Sequence, residues 1–147
     1  MAQVISATAA ARGCRRESMQ SVRRDRFLTQ ALDLLADARS SAAQGRFEDA
    51  LEMAYRASLR AAGARVAASS VSRRRRLPTS AWEQVALVGP ADARWAAEFK
   101  EYSRVRSRVA SGMDPVPHED AVYEYLALAA RYVDATESEL GFGGLAA

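Results

Sequence analysis

The chain has 147 residues, 21 of them basic and 18 acidic, and a formal net charge of +3. This length predicts one domain whose core needs no disulfide or metal to hold it together. The lone Cys14 excludes an intramolecular disulfide framework and multi-cysteine zinc sites, and the lone His118 excludes paired-histidine metal motifs. No apolar run approaches the roughly 18 residues of a membrane-spanning helix. We therefore expect no metal, no cofactor and no membrane partner.

The N-terminal segment predicts a tail. Residues 1–23 are rich in Ser, Ala and Arg and lack apolar periodicity, which is typical of a disordered basic segment. No basic residue precedes the weakly apolar stretch at 4–11, unlike in a secretory signal, so we expect a cytoplasmic protein. The helical domain is expected over residues 24–141, and residues 142–147 are expected to be a flexible C-terminus.

The first two predicted helices form a pair. Between about residues 24 and 44, and again between about 47 and 69, apolar residues recur every three or four positions. The connection at Gly45 is so short that the two helices must be antiparallel neighbours. Gly63 lies inside the second helix, where it costs up to about 1 kcal/mol relative to Ala.

Three further helices follow an Arg-rich linker at 70–79. A short third helix is predicted to begin at Ser80, where Ser80 and Glu83 match a capping box. The fourth is expected over about 90–110 and the fifth over about 118–140, with Gly and Pro residues between and after them. No stretch shows strong period-two alternation. The sequence therefore predicts an all-α, up-and-down bundle of four long helices with one short inserted helix.

The positive charge lies in two segments. Residues 1–26 carry six arginines against two acids, and the linker contains Arg73, Arg74, Arg75 and Arg76. Each segment is +4, which leaves −5 for the rest of the chain. If the protein binds phosphate, the linker run is the expected place, with Trp82 able to stack on a base. The linker run could instead be solvated, or be bound by the acidic residues of the helical body. Trp82 could instead be buried in the core.

The region from Arg73 to Pro90 carries a resemblance to a known family. The Arg run, the block Ser-Ala-Trp-Glu at 80–83 and an apolar turn are followed by Trp95 and Phe99 in the next helix. This arrangement resembles a group of small single-domain HEPN proteins, mostly from actinobacteria, over about residues 26–140. The resemblance implies a helical bundle that commonly forms a homodimer. It also implies either a metal-independent ribonuclease or a non-catalytic module that binds RNA, nucleotide or a protein.

The chain departs from the catalytic motif of that family. Catalytic HEPN domains carry Arg, four to six intervening residues and then His, with the Arg stabilising phosphate charge. Counting back from His118 puts Ser111, Gly112 and Met113 where that Arg belongs. The nearest upstream arginine is Arg108, ten positions away. Arg108 and His118 are therefore only weak catalytic candidates, and no residue is assigned a catalytic role.

Three smaller groups of residues are also candidate functional sites, and each has a purely structural explanation as well. Arg104 and Arg108 share a helix face and could bind phosphate, or could simply be solvated. His118 precedes two acids at a helix start, where the helix dipole alone explains them. The last helix carries tyrosines that suit either a dimer contact or partial burial; these are Tyr123, Tyr125 and Tyr132.

These observations favour a non-catalytic HEPN-like module that binds nucleic acid, nucleotide or a protein partner and forms a homodimer. Two alternatives stay open. One is a divergent metal-independent ribonuclease, and the other is an antitoxin-like or scaffold protein with no nucleic-acid role.

Overall fold

The computed structural model describes residues 2–141 of the chain, with side chains from residue 10 onward. Within that range the chain forms five α-helices and one 3₁₀ helix, and no strand. Their bounds are α1 Ala2–Ala43, α2 Phe47–Ala67, the 3₁₀ helix Ser70–Arg73, α3 Ala81–Ala86, α4 Pro90–Ala110 and α5 Glu119–Leu140. The predicted all-α fold is confirmed, with four long helices and one short one. The predicted C-terminus at 142–147 lies outside the described residues.

The α1–α2 hairpin is built on small residues. Gly45 has a φ of +74°, a left-handed conformation that glycine adopts without strain, and it reverses the chain between the two helices. Both helices bury alanines in the core; these are Ala31, Ala38 and Ala42 of α1 and Ala50, Ala54, Ala57 and Ala61 of α2. Such short side chains allow two helix backbones to approach closely.

The N-terminal half of α1 differs from the predicted disordered tail, because the helix continues back to Ala2. The 42 residues of α1 extend about 63 Å, twice the length of α2, so this half runs past the end of its partner. Every side chain from residue 10 to residue 19 is exposed. The prediction was wrong because it relied on apolar periodicity. Ala, Arg, Met and Gln are strong helix formers and no Pro interrupts them, so propensity supports a helix without a buried face.

The third helix begins differently from the prediction. Ser80 makes no side-chain capping bond, so the expected capping box is absent. The side-chain amide of Gln84 instead donates to the carbonyl of Pro78 at 2.7 Å, tying the helix to the linker before it. A helix of six residues gains little from a cap of its own. It is held by burying Trp82 and Val85.

An aromatic cluster joins α2, α3, α4 and α5. Trp82 stacks on Phe99 with ring centroids 4.5 Å apart, and its indole Nε1 donates to the hydroxyl of Tyr55 at 3.0 Å. Tyr132 packs against Phe99 at 4.8 Å. Tyr102 donates to the carbonyl of Leu51 at 2.5 Å and is fully buried. Burial disfavours the phenolate and raises the pKa of Tyr102 far above its ordinary value. Trp82 is therefore a core residue, which agrees with the alternative that it is buried and does not stack on a base.

Candidate functional site

Arginines follow one another along the exposed half of α1. At 100° per residue, positions 12, 16, 19, 23 and 26 fall on one side of the helix, with 15 and 22 beside them. These positions hold Arg12, Arg15, Arg16, Met19, Val22, Arg23 and Arg26, and all of them are exposed. Like charges three and four residues apart repel one another. The helix thus presents a basic face with an apolar patch in its middle.

The 3₁₀ helix brings the second basic segment to this face. The side-chain amide of Gln20 donates to the hydroxyl of Ser72 at 3.4 Å, across 52 positions of sequence. Val71 is buried and anchors the 3₁₀ helix, whereas Arg73 to Arg76 are all exposed. The linker arginines therefore begin beside the basic half of α1. Sequence reasoning found the two segments separately, because a contact at this separation leaves no local signal.

One end of the bundle thereby collects ten exposed arginines, which we call the basic end. They are Arg12, Arg15, Arg16, Arg23 and Arg26 of α1, Arg60 of α2, and Arg73, Arg74, Arg75 and Arg76. Among the residues with described side chains, none of the ten forms an ion pair. The acidic body does not neutralise the linker run: Glu52 binds Arg56 and Arg106 instead. The charge of the basic end is available to an external anion.

A groove of about 530 Å³ lies within the basic end, between α1 and Arg60 of α2. Its apolar lining includes Met19, Val22 and Phe27, and its charged lining includes Arg23 and Arg26. Met19 is 68 % exposed and Val22 57 % exposed, so together they give the groove an exposed apolar patch. The volume of the groove lies within the range of small-molecule binding sites.

Arg104 and Arg108 of α4 are arranged differently, because each of them binds a carboxylate. Arg104 donates to Glu101 at 2.8 Å, and Arg108 makes two bonds to Asp114 at 2.7 and 3.2 Å. The Arg108 guanidinium lowers the pKa of the Asp114 carboxyl, and the same hydrogen bond raises the pKa of Arg108. Their positive charges are balanced locally, unlike those of the basic end.

His118 acts as a helix cap. Its Nδ1 accepts a hydrogen bond from the backbone N–H of Asp120 at 3.3 Å, at the start of α5. Arg108 is held by Asp114 on the other side of the loop, and no hydrogen bond joins it to His118 among the described residues. The weak catalytic pair stays a prediction. The cap explains why a histidine stands at this position.

The tyrosines of α5 have three different surroundings. Tyr123 is 46 % exposed and its hydroxyl donates to the carbonyl of Ala42 at 3.4 Å. Tyr125 is half-buried and stacks on Tyr102 with ring centroids 4.4 Å apart, and Tyr132 is fully buried. Of the three, Tyr123 is the most exposed. The homodimer stays a prediction.

A buried ionic cluster escaped the sequence reasoning. Arg65 is 5 % exposed and donates to Thr136 at 2.6 Å, to Asp92 at 3.1 Å and to Glu139 at 2.7 Å. Its guanidinium carbon lies 5.0 Å from the ring centre of Tyr132. Arg65 thus joins α2 to α4 and α5. A signal for it exists in the sequence, because Arg65 falls in register with the buried positions 54, 58 and 61 of α2.

The structure provides no other conspicuous chemistry in its described part. No group of three or more His, Cys, Asp or Glu side chains is placed to hold a metal ion there. None of the helices in residues 2–141 combines the length and the apolar character that crossing a membrane requires.

Comparison with protein families identifies one match. A family model described as HEPN_SAV_6107-like HEPN matches residues 36–137, more than two thirds of the chain. The matched range covers the last eight residues of α1 and nearly all of the other helices, including Arg65 and the linker arginines. No curated protein and no solved structure matches the chain.

Proposed function

The chain belongs to the HEPN_SAV_6107-like HEPN family, and from this premise we propose that it is a binding module for RNA. In this proposal the basic end holds the phosphates of the RNA. HEPN domains often bind nucleic acid. Family membership alone does not locate a binding surface on this chain, so the proposal depends on the surface itself.

The observation that carries the proposal is the contact between Gln20 and Ser72. It joins two basic segments that lie about 50 residues apart in sequence. None of the ten arginines of the basic end forms an ion pair with a described carboxylate, and the fold gains nothing by concentrating like charges at one end. A polyphosphate chain relieves that repulsion and releases its own counterions on binding. Arginine suits this partner because its planar fork donates two hydrogen bonds to one phosphate.

The proposal concerns binding and not cleavage. His118 uses Nδ1 to cap α5, and Arg108 is engaged by Asp114. The arginines at 104 and 108 are left out of the proposed surface because carboxylates already hold them.

The test is the salt dependence of RNA binding. A labelled RNA of about 20 nucleotides is titrated with the protein between 50 and 300 mM salt, and fluorescence anisotropy gives the affinity. We expect the logarithm of the binding constant to fall linearly with the logarithm of salt concentration. Replacing the four linker arginines by Gln should flatten that slope by about 3, since each phosphate contact contributes roughly 0.7 for a single strand.

A matched control separates local contacts from net charge. Replacing four exposed arginines elsewhere lowers the net charge by the same amount and should leave the slope unchanged within about 1. These are Arg39, Arg46, Arg94 and Arg131. Equal losses in both quadruple variants, or no binding by the wild type, would refute the proposal.

Two further outcomes would favour the other functions. Metal-free RNA cleavage that disappears in His118→Ala would identify a divergent ribonuclease. A protein that ignores RNA and purifies with another chain would be an interaction subunit.

A further inference from the structure

We infer that the groove at the basic end takes one unpaired nucleobase, so that the protein selects single-stranded over double-stranded nucleic acid. This inference rests on the proposed function and adds the class of ligand to it. The groove lies mostly on residues 18–30 of α1, which precede the family match at 36–137. Of the residues that line the groove, only Arg60 lies inside the matched range.

The first support is an arginine that lies over an aromatic ring in the groove. The guanidinium carbon of Arg23 lies 5.6 Å from the ring centre of Phe27, a cation–π arrangement. Phe27 is itself held against α2, since a Cβ on Gly63 would lie 3.1 Å from its ring. A guanidinium held over a ring has a free outer plane, and unpaired bases stack on such planes.

The second support is the apolar floor beside that arginine. Met19 and Val22 are both more than half exposed, because no apolar side chain in the described part of the chain covers them. A phosphate does not use such a surface, whereas the face of a base does. The groove has the volume of a small-ligand site, about 530 Å³.

The third support is the charge around the floor. Arg23, Arg26 and Arg60 surround the groove from two helices. A base on the floor places its own and its neighbours' phosphates among these guanidinium groups. Single-strand binding sites combine a positive groove with stacking in this way. Bases inside a duplex are stacked on one another and paired, so a duplex offers the groove phosphates only.

The experiment compares three probes of equal length: a single strand, its duplex and a single strand whose bases have been removed. We expect the wild type to bind the intact single strand at least tenfold more tightly than either of the others at equal salt. Arg23→Lys keeps the charge but loses the planar stack. It should weaken binding of the intact strand roughly tenfold, with no change in salt slope and no change for the abasic strand.

Two variants complete the design. The double variant Met19→Gln/Val22→Thr removes the apolar floor without altering charge and should reproduce the effect of Arg23→Lys. Arg39→Lys makes the same exchange on α1 away from the groove and should bind as the wild type does. Circular dichroism confirms that each variant retains its helices.

The outcomes distinguish this inference from the proposed function. Equal affinity for the intact and abasic strands, or an unaltered Arg23→Lys variant, overturns the nucleobase site while phosphate binding stands. A quadruple linker variant that binds all three probes as well as the wild type overturns the proposed function instead.

Discussion

Replacing Arg65 by Met is expected to destabilise the fold by about 3 kcal/mol. Arg65 is the one point at which a single side chain hydrogen-bonds α4 and α5 from α2 among the described residues. Met has a similar length and fills most of the same space, so the loss of packing is small. The main cost of the substitution is therefore that the buried Asp92 carboxylate loses its charged partner.

The magnitude follows from how exposed the two acidic partners are. Removing one member of a buried ion pair costs about 3–5 kcal/mol, because the other charge stays buried and unpaired. The side chain of Asp92 is 12 % exposed, whereas that of Glu139 is 59 % exposed and is hydrated when Arg65 is gone. Only Asp92 carries the full penalty, so the low end of the range applies. For a chain of this size the melting temperature should fall by roughly 10 °C.

Urea unfolding of four proteins measures the effect: the wild type, Arg65→Met, Asp92→Ala and the double variant. The double variant should lose about 2 kcal/mol less than the sum of the two single variants, since it leaves no buried charge behind. Glu139→Gln is the control for the exposed partner and should cost at most about 1 kcal/mol. Additive losses in the cycle, or a loss below about 1 kcal/mol for Arg65→Met, would refute the argument.

Two further predictions concern α2. The hydrogen bond from Arg106 holds the pKa of Glu52 below its ordinary value of 4.5, so the pair stabilises the fold above that pH and loses this contribution as the pH falls through the lowered pKa. Glu52→Gln should therefore be less stable than the wild type at pH 7 and should approach it in urea unfolding at pH 3; a constant difference would contradict the assignment. Gly63→Ala gains about 1 kcal/mol of helix propensity, but its Cβ would lie 3.1 Å from the ring of Phe27, which must shift slightly to accept it. Its unfolding free energy should stay within about 1 kcal/mol of the wild type, and a loss above about 2 kcal/mol would show that Phe27 cannot move.

The helices of the bundle could be predicted because their signals are local. The predicted fourth helix at 90–110 coincides with α4, since Pro90 begins it and Gly112 follows its end. The predicted second helix at 47–69 exceeds α2 by two residues, because the chain tightens into the 3₁₀ helix there. The fifth begins one residue later than predicted because His118 is its cap. Strong 3.6-residue periodicity bounded by Gly and Pro predicts such helices well.

The candidate site could not be predicted as a whole because its parts meet through space. The linker run was found from its charge, but its neighbour across the Gln20–Ser72 contact was assigned to a disordered tail. That error hid the groove, since a disordered segment has no face on which Met19 and Arg23 can lie side by side. Arg65 was missed for a different reason: in an Arg-rich chain, one arginine in register with buried alanines resembles its many exposed neighbours.

The fold and the proposed binding surface draw on different parts of the chain. The family match at 36–137 contains Arg65, Asp92 and Thr136, which join the helices of the bundle. Five of the ten arginines of the basic end, and most of the groove, lie on α1 before residue 36. A substitution at Arg23 should therefore weaken ligand binding without lowering the stability of the fold. A substitution at Arg65 should lower the stability of the fold without weakening binding by the protein that remains folded. The two sets of variants thus test separately what the family supplies to this chain and what the extended α1 helix adds to it.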